Sequence, residues 1–170
     1  AEMAVDDIQN EAIVHDESDG PVDISLDEVE QPDRIKKKIE EEFQTVLKLL
    51  KFKTKGSELF RRWYIDGKLY HHIIPHENTK KGIQEVRPID PIQIRKVRQV
   101  QKETDTETGK EIVTGFHDFY VYNDKGAKHY QEHVGLKVSP DAISYVTSGL
   151  YDASGQRIIS HLHKAIKPLN

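Results

Sequence analysis

The chain contains no cysteine. That excludes disulfides, thiolate metal sites and a cysteine nucleophile, and it leaves the redox compartment undetermined. Long apolar runs are missing too: the longest are a few residues, far short of the roughly 20 that cross a bilayer. The acidic N-terminus has neither the basic nor the apolar region of a signal peptide, so the piece reads as neither membrane-spanning nor secreted. Charge of one sign is not in excess. Lys and Arg number 25 against 29 Asp and Glu, a net charge of −4 that gives no global attraction to nucleic acid or an acidic membrane. Local basic patches are compatible with that balance. What is present suffices for one core, since 36% of the 170 residues are apolar. Met3 after two residues, and an end inside a helical pattern, make the chain read as an excised piece of a longer protein.

Residues 1–31 are acidic and are expected to be partly extended or flexible. Within them Val22, Ile24 and Leu26 alternate with polar residues after the turn-prone run Asp16 to Pro21. A short half-buried strand and a linker fit this equally well. From Pro32 the pattern is helical, with Ile35, Ile39, Phe43, Val46, Leu47 and Leu50 at spacings of three and four. Its other face carries Lys36 to Lys38 and Glu40 to Glu42, a solvated face. A second, shorter helix is expected after Gly56, with Ser57 as N-cap and Leu59, Phe60 and Trp63 as its apolar side. The period then changes. Tyr64 to Tyr70 reads as two β-prone runs joined by Asp66-Gly67, the dipeptide of a tight type I′ hairpin. Further strands are expected over Ile83 to Ile89, Ile94 to Gln101, Ile112 to Tyr122 and Ile143 to Thr147. Arg157 to Lys167 again has helical spacing. The class is α+β: a mostly antiparallel β layer or small barrel-like sheet, packed with N-terminal helices and a C-terminal helix.

Chemistry-bearing constellations are weak. His71, His72 and His76 lie close in sequence, and His129 and His133 are four apart, but on a strand His71 and His72 point to opposite faces. On a helix His161 and His163 would lie about 200 degrees apart. No HExxH or third-ligand pattern accompanies any of them, so a metal-dependent hydrolase is the least supported reading and no metal is expected. Thr108-Gly109-Lys110 resembles the end of a phosphate-binding loop, yet Thr104 stands where its first glycine belongs and Glu111 where a magnesium-holding hydroxyl belongs. A hairpin turn fits better. Carboxylate pairs sit in acidic, hydrated runs where nothing raises one pKa, and no GxSxG elbow exists. No catalytic residue and no cofactor is expected. The clusters worth following are Arg61-Arg62 beside Trp63, and Arg95-Lys96 with Arg98. Cations beside aromatic groups suit a nucleic-acid surface, and Arg and aromatic side chains equally suit a protein interface.

Five ordered segments together resemble the portal proteins of T-even-type tailed bacteriophages. They are Glu58-Leu-Phe-Arg-Arg-Trp-Tyr-Ile-Asp-Gly-Lys-Leu-Tyr70, Arg87-Pro-Ile-Asp-Pro-Ile-Gln-Ile-Arg-Lys-Val-Arg98, Tyr120-Val-Tyr-Asn-Asp-Lys-Gly126, Ile143-Ser-Tyr-Val-Thr-Ser-Gly-Leu-Tyr-Asp152 and His163-Lys-Ala-Ile-Lys-Pro-Leu-Asn170. The resemblance implies a wing-like domain over residues 32–170, truncated where a stem helix would begin. It implies a subunit of a dodecameric ring at the capsid vertex of a virion, assembled in the bacterial host, through which DNA is packaged and ejected. Implied partners are other copies of the subunit, the major capsid and scaffold proteins, terminase, and neck or tail proteins. Packaging catalysis in that family belongs to a separate terminase, so no catalytic role carries over. The runner-up is an independent β-rich adaptor or nucleic-acid-binding module. By itself this piece is expected to be monomeric or weakly associating.

Overall fold

The computed structural model describes residues 2–14, 21–106, 109–126 and 134–163. Among these, three α-helices come first: α1 (Glu2–Ala12), α2 (Asp33–Leu49) and α3 (Phe52–Asp66). Six strands follow: β1 (Lys68–Pro75), β2 (Ile83–Ile89), β3 (Ile94–Thr104), β4 (Glu111–Tyr122), β5 (Leu136–Val138) and β6 (Ile143–Thr147). The class is α+β, and the strands form two three-stranded antiparallel sheets, ordered β2-β1-β6 and β3-β4-β5. The chain divides into two compact units. One is Ala1–Lys68 with Gln84–Val86 and Thr147–Asn170, the other Leu69–Ile83 with Arg87–Val146.

In the first unit part of the acidic segment expected to be partly extended or flexible is helical, over Glu2–Ala12. Val5 and Ile13 are buried, two helical turns apart, and Arg61 of α3 reaches Glu2, Asp6 and Gln9 on the adjoining helix face. The short strand at Val22 to Leu26 does not form. The three apolar side chains are half-buried in alternation, but Ile24 rests in an apolar cleft with Ile35, Ile39, Phe43 and Val46 of α2 instead of joining a ladder. α2 forms as its periodicity dictates, starting one residue after Pro32, whose carbonyl accepts the Ile35 N–H at 2.8 Å. None of its residues is fully buried.

Lys51 adopts a left-handed conformation (φ 52°) and separates α2 from α3. The second helix therefore starts at Phe52, not after Gly56, and Ser57 is interior to it instead of capping it. Gly56 is tolerated there by packing: a β-carbon at this position would lie 2.9 Å from the Phe52 ring. The expected hairpin at Asp66-Gly67 is also replaced. The helix continues through Tyr64, Ile65 and Asp66, and Gly67 (φ 71°) terminates it, its N–H donating to the Trp63 carbonyl at 2.9 Å. A left-handed glycine serves a helix C-terminus as readily as a type I′ turn, so the dipeptide was ambiguous.

The helix expected from Arg157 is not formed over 157–162. Ile158 instead makes an antiparallel bridge with Tyr151, and the Asp152 carboxylate closes the intervening turn by accepting from the Ser154 hydroxyl at 2.7 Å and the Gln156 N–H at 3.2 Å. The rest of that expected helix lies outside the described residues.

The second unit is built on four buried side chains, Tyr70, Ile94, Tyr120 and Ile143, flanked by Ile89, Tyr122, Val138 and Tyr145. Tyr70 stacks on Tyr145 with centroids 4.6 Å apart and meets Tyr120 edge-on at 6.1 Å. Burial, and then the neighbouring Tyr145, push the Tyr70 hydroxyl well above its ordinary pKa. β3 and β4 pair antiparallel over their whole length with one irregularity between Gln101 and Lys102. Asp105 and Lys110 close the hairpin loop, the Asp105 N–H donating to the Lys110 carbonyl at 2.9 Å. Gly109-Lys110 thus belongs to a turn, as the sequence indicated.

Candidate functional site

Arg61, Arg62 and Trp63 sit on consecutive positions of α3 in the first unit. Arg61 is engaged on its own chain: it pairs with Asp6, lies 3.8 Å from Glu2 and donates to Gln9 at 3.3 Å. It therefore ties α1 to α3. Arg62 pairs with Glu58 one turn earlier at 2.6 Å, on the exposed side of the helix. Trp63 turns the other way, its ring 4.8 Å from His161 and 5.7 Å from Phe60. His161 in turn stacks on Tyr64 at 4.9 Å and 7°. The aromatic partner of the arginines is thus committed to holding the segment after β6 against α3. The three side chains do not form one surface.

Arg95, Lys96 and Arg98 lie on β3 in the second unit. Strand alternation places Arg95 on one face and the other two on the opposite face. There the register sets Arg98 directly across from Asp118. The Arg98 Nε and a terminal nitrogen donate to the two Asp118 oxygens at 2.7 and 2.9 Å, and the Lys96 Nζ reaches the same carboxylate at 2.9 Å. The fork geometry matches a planar guanidinium to a planar carboxylate. These bonds, from Arg98 first and then Lys96, hold the Asp118 carboxyl well below the usual carboxylate range. Reciprocally, Asp118 raises Arg98. Arg98 also lies over the Phe116 ring at 5.7 Å, a cation–π contact on the same face. One strand further, Lys137 sits over Phe119 at 4.8 Å.

The residues missed from sequence are therefore Asp118 and Phe116. Their signal was the hairpin register. Counting symmetrically outward from the Thr104–Glu111 pair would set Arg98 against His117 and send Asp118 to the other face. The one-residue shift between Gln101 and Lys102 corrects the pairing, and a single sequence does not announce such a bulge.

Among the histidines, His71 is buried and burial lowers its pKa, while the His76 Nδ1 accepts the Asn78 N–H at 3.1 Å. His129 and His133 lie outside the described residues. Among the described residues no group of three His, Asp or Glu side chains converges as a metal site would require, and no helix is long and apolar enough to cross a membrane. A cavity of about 240 Å³ in the second unit is lined by the apolar side chains of Ile89, Tyr122, Leu136, Val138 and Ile143, with His72, Arg87 and Gln93 as the polar part of its wall.

Comparison with known proteins follows the same direction. Residues 1–170 match the family described as Bacteriophage T4-like portal protein (Gp20). The portal protein of Vibrio phage KVP40 is 35% identical over 98% of this chain and 34% of its own length. That of Salmonella phage ViI is 31% identical over 98% of this chain and 32% of its own length. The chain thus spans about a third of the length of these curated relatives. With the match covering both compact units from end to end, the chain belongs to the T4-like bacteriophage portal protein family.

Proposed function

We propose that this chain is the wing portion of a portal subunit and that its work is structural. Residues 32–170 form the wing-like part, with residues 1–31 attached to it through the Arg61 contacts. The full subunit would assemble as a dodecameric ring at the capsid vertex of the virion. DNA would pass through that ring during packaging and ejection, and the ring would dock capsid and scaffold proteins, terminase, and neck or tail proteins. Catalysis is not assigned to this chain.

The observation that carries the reading is the destination of the cations, taken with the family match. Lys96 and Arg98 neutralise Asp118, Arg61 is bound to the α1 carboxylates, and Arg62 is bound to Glu58. A protein that holds DNA by its phosphates leaves cations unpaired for them, because release of the counterions from the nucleic acid drives binding. Here the charges stiffen elements instead, as suits a peripheral ring segment. Electron microscopy of the full-length subunit tests this. Closed rings with this segment on their outer rim are expected. A monodisperse monomer that binds DNA with a steep salt dependence would establish the alternative, an independent adaptor or nucleic-acid-binding module.

A further inference from the structure

The β3–β4 ribbon outruns the core beneath it. On the face that carries Ile94 and Tyr120 into the core, the next pairs outward are Arg98 with Asp118, Val100 with Phe116, and Lys102 with Val113. The last apolar side chains of that series are uncovered: Val100 is 43% exposed, Val113 51% and Phe116 64%. β5 pairs β4 only at Tyr120 to Tyr122. Beyond that, the ribbon meets no further strand among the described residues. An exposed apolar patch at the end of this face, set off from the core by the Arg98–Asp118 ion pair, marks a contact surface.

We propose that this strip inserts into a second copy of the chain, with Phe116 entering the cavity lined by Tyr122, Leu136, Val138 and Ile143. Three observations select that occupant. The cavity, at about 240 Å³, is below the roughly 300 Å³ of ordinary ligand pockets, so it suits one side chain better than a cofactor. Its outer wall is Leu136, an apolar side chain that is itself 67% exposed. Phe116 cannot fill it from within the same copy: six residues of strand, at about 3.3 Å each, put it roughly 20 Å from Tyr122. Charge argues the same way. Asp118 offsets one of the two positive charges of Arg98 and Lys96 beside Phe116, and Lys102 pairs with Glu111, so the strip keeps about one net positive charge, too little for the several phosphate contacts that hold nucleic acid. Lys96, Arg98 and Lys102 along β3 discourage strand addition at its edge, which leaves the face as the docking element.

A projection that fits a cavity elsewhere on the same molecule makes a head-to-tail contact, which closes into a ring if the rotation closes. Ring closure rests on the portal reading; the contact itself does not. The native absence of cysteine gives a direct test. The 170-residue chain carrying Phe116→Cys and Leu136→Cys is oxidised at high concentration. A disulfide needs β-carbons about 3.5–4.5 Å apart, so the pair cannot close within one chain. A ladder of dimers, trimers and longer species is expected, forming several-fold faster than with Ile112→Cys and Leu136→Cys, since Ile112 lies on the ribbon's other face. Raising salt should speed it, because copies of net charge −4 repel one another. Equal rates for the two pairs would overturn the contact and leave the portal reading standing. Fast dimers from Phe116→Cys alone would overturn it too, by showing ribbon meeting ribbon. Failure of the full-length subunit to form rings would overturn the portal reading and leave this contact intact.

Discussion

Gly67 joins α3 to β1 under two constraints at once. Its φ of 71° is in the left-handed region that a β-branched side chain rarely adopts, and a β-carbon there would lie 2.7 Å from the Ile159 carbonyl oxygen. Its own carbonyl accepts the Ser148 N–H at 2.8 Å, and the Ser148 hydroxyl donates to Ile159 at 2.7 Å. Any relief of the clash must therefore disturb the segment after β6 as well. Gly67→Val is expected to destabilise the chain by about 1–3 kcal/mol, the range for a residue forced into such a conformation, with the clash adding to it. A urea melt with an unchanged midpoint would remove the left-handed cap from the account. At this position the need for positive φ was readable from Asp66-Gly67. Its partner was not, since Ile159 is 92 residues away along the chain and was itself expected to be helical. Trp63 makes the same point. Sequence placed it correctly on an apolar helix side, but its tilted ring contact with His161 is a tertiary fact that periodicity cannot carry.

Elements with strong periodicity were the legible ones. α2 follows from apolar spacing alone, and β2, β3, β4 and β6 fall where alternation and turn residues put them. α1 was hidden because four acidic residues among eleven outweighed the i, i+8 pair Val5 and Ile13. β5 is only three residues long, too short for a period to show. The β3–β4 ribbon combines both cases: its strands were legible, while its register depends on a bulge. That register decides what the basic cluster does, and Asp118 is the test of it. Asp118→Asn removes the charge shared by Lys96 and Arg98 while keeping the shape. The variant is expected to gain weak binding to duplex DNA at low ionic strength that disappears as salt rises. The wild-type chain should lack it throughout, including at mildly acid pH. Asp118 has a depressed folded pKa, so its contribution is complete above the unfolded value near 3.9 and is lost only as pH falls through the lower folded one. Identical DNA binding by the two proteins would mean that these cations are not held by Asp118 in solution.

The whole molecule has to reconcile an open apolar strip with the expectation that this piece is monomeric or weakly associating. A monomer would follow if the apolar helix faces were used up in packing, but α2, which buries no residue completely, does not meet that condition. Area supplies a better one. Stable association usually buries about 1,200–2,000 Å², whereas one ribbon face carrying Val100, Phe116 and Val113 into one cavity covers far less. Such a contact belongs in the range of roughly millimolar dissociation constants, near −4 kcal/mol, and repulsion between copies of net charge −4 weakens it further at low salt. Within a ring held elsewhere the same contact becomes effectively intramolecular and repeats around the circle, so a weak pair contributes to a stable assembly. Light scattering of the 170-residue chain at tens of micromolar is therefore expected to give a mass near 19.6 kDa, rising only at much higher concentration. A stable dodecamer under the dilute conditions would show that this piece alone drives ring formation, and the area argument would then have missed a larger interface. A stable dimer that persists in Phe116→Glu would place self-association away from the ribbon, with the half-open apolar stripe of α2 as the next surface to examine.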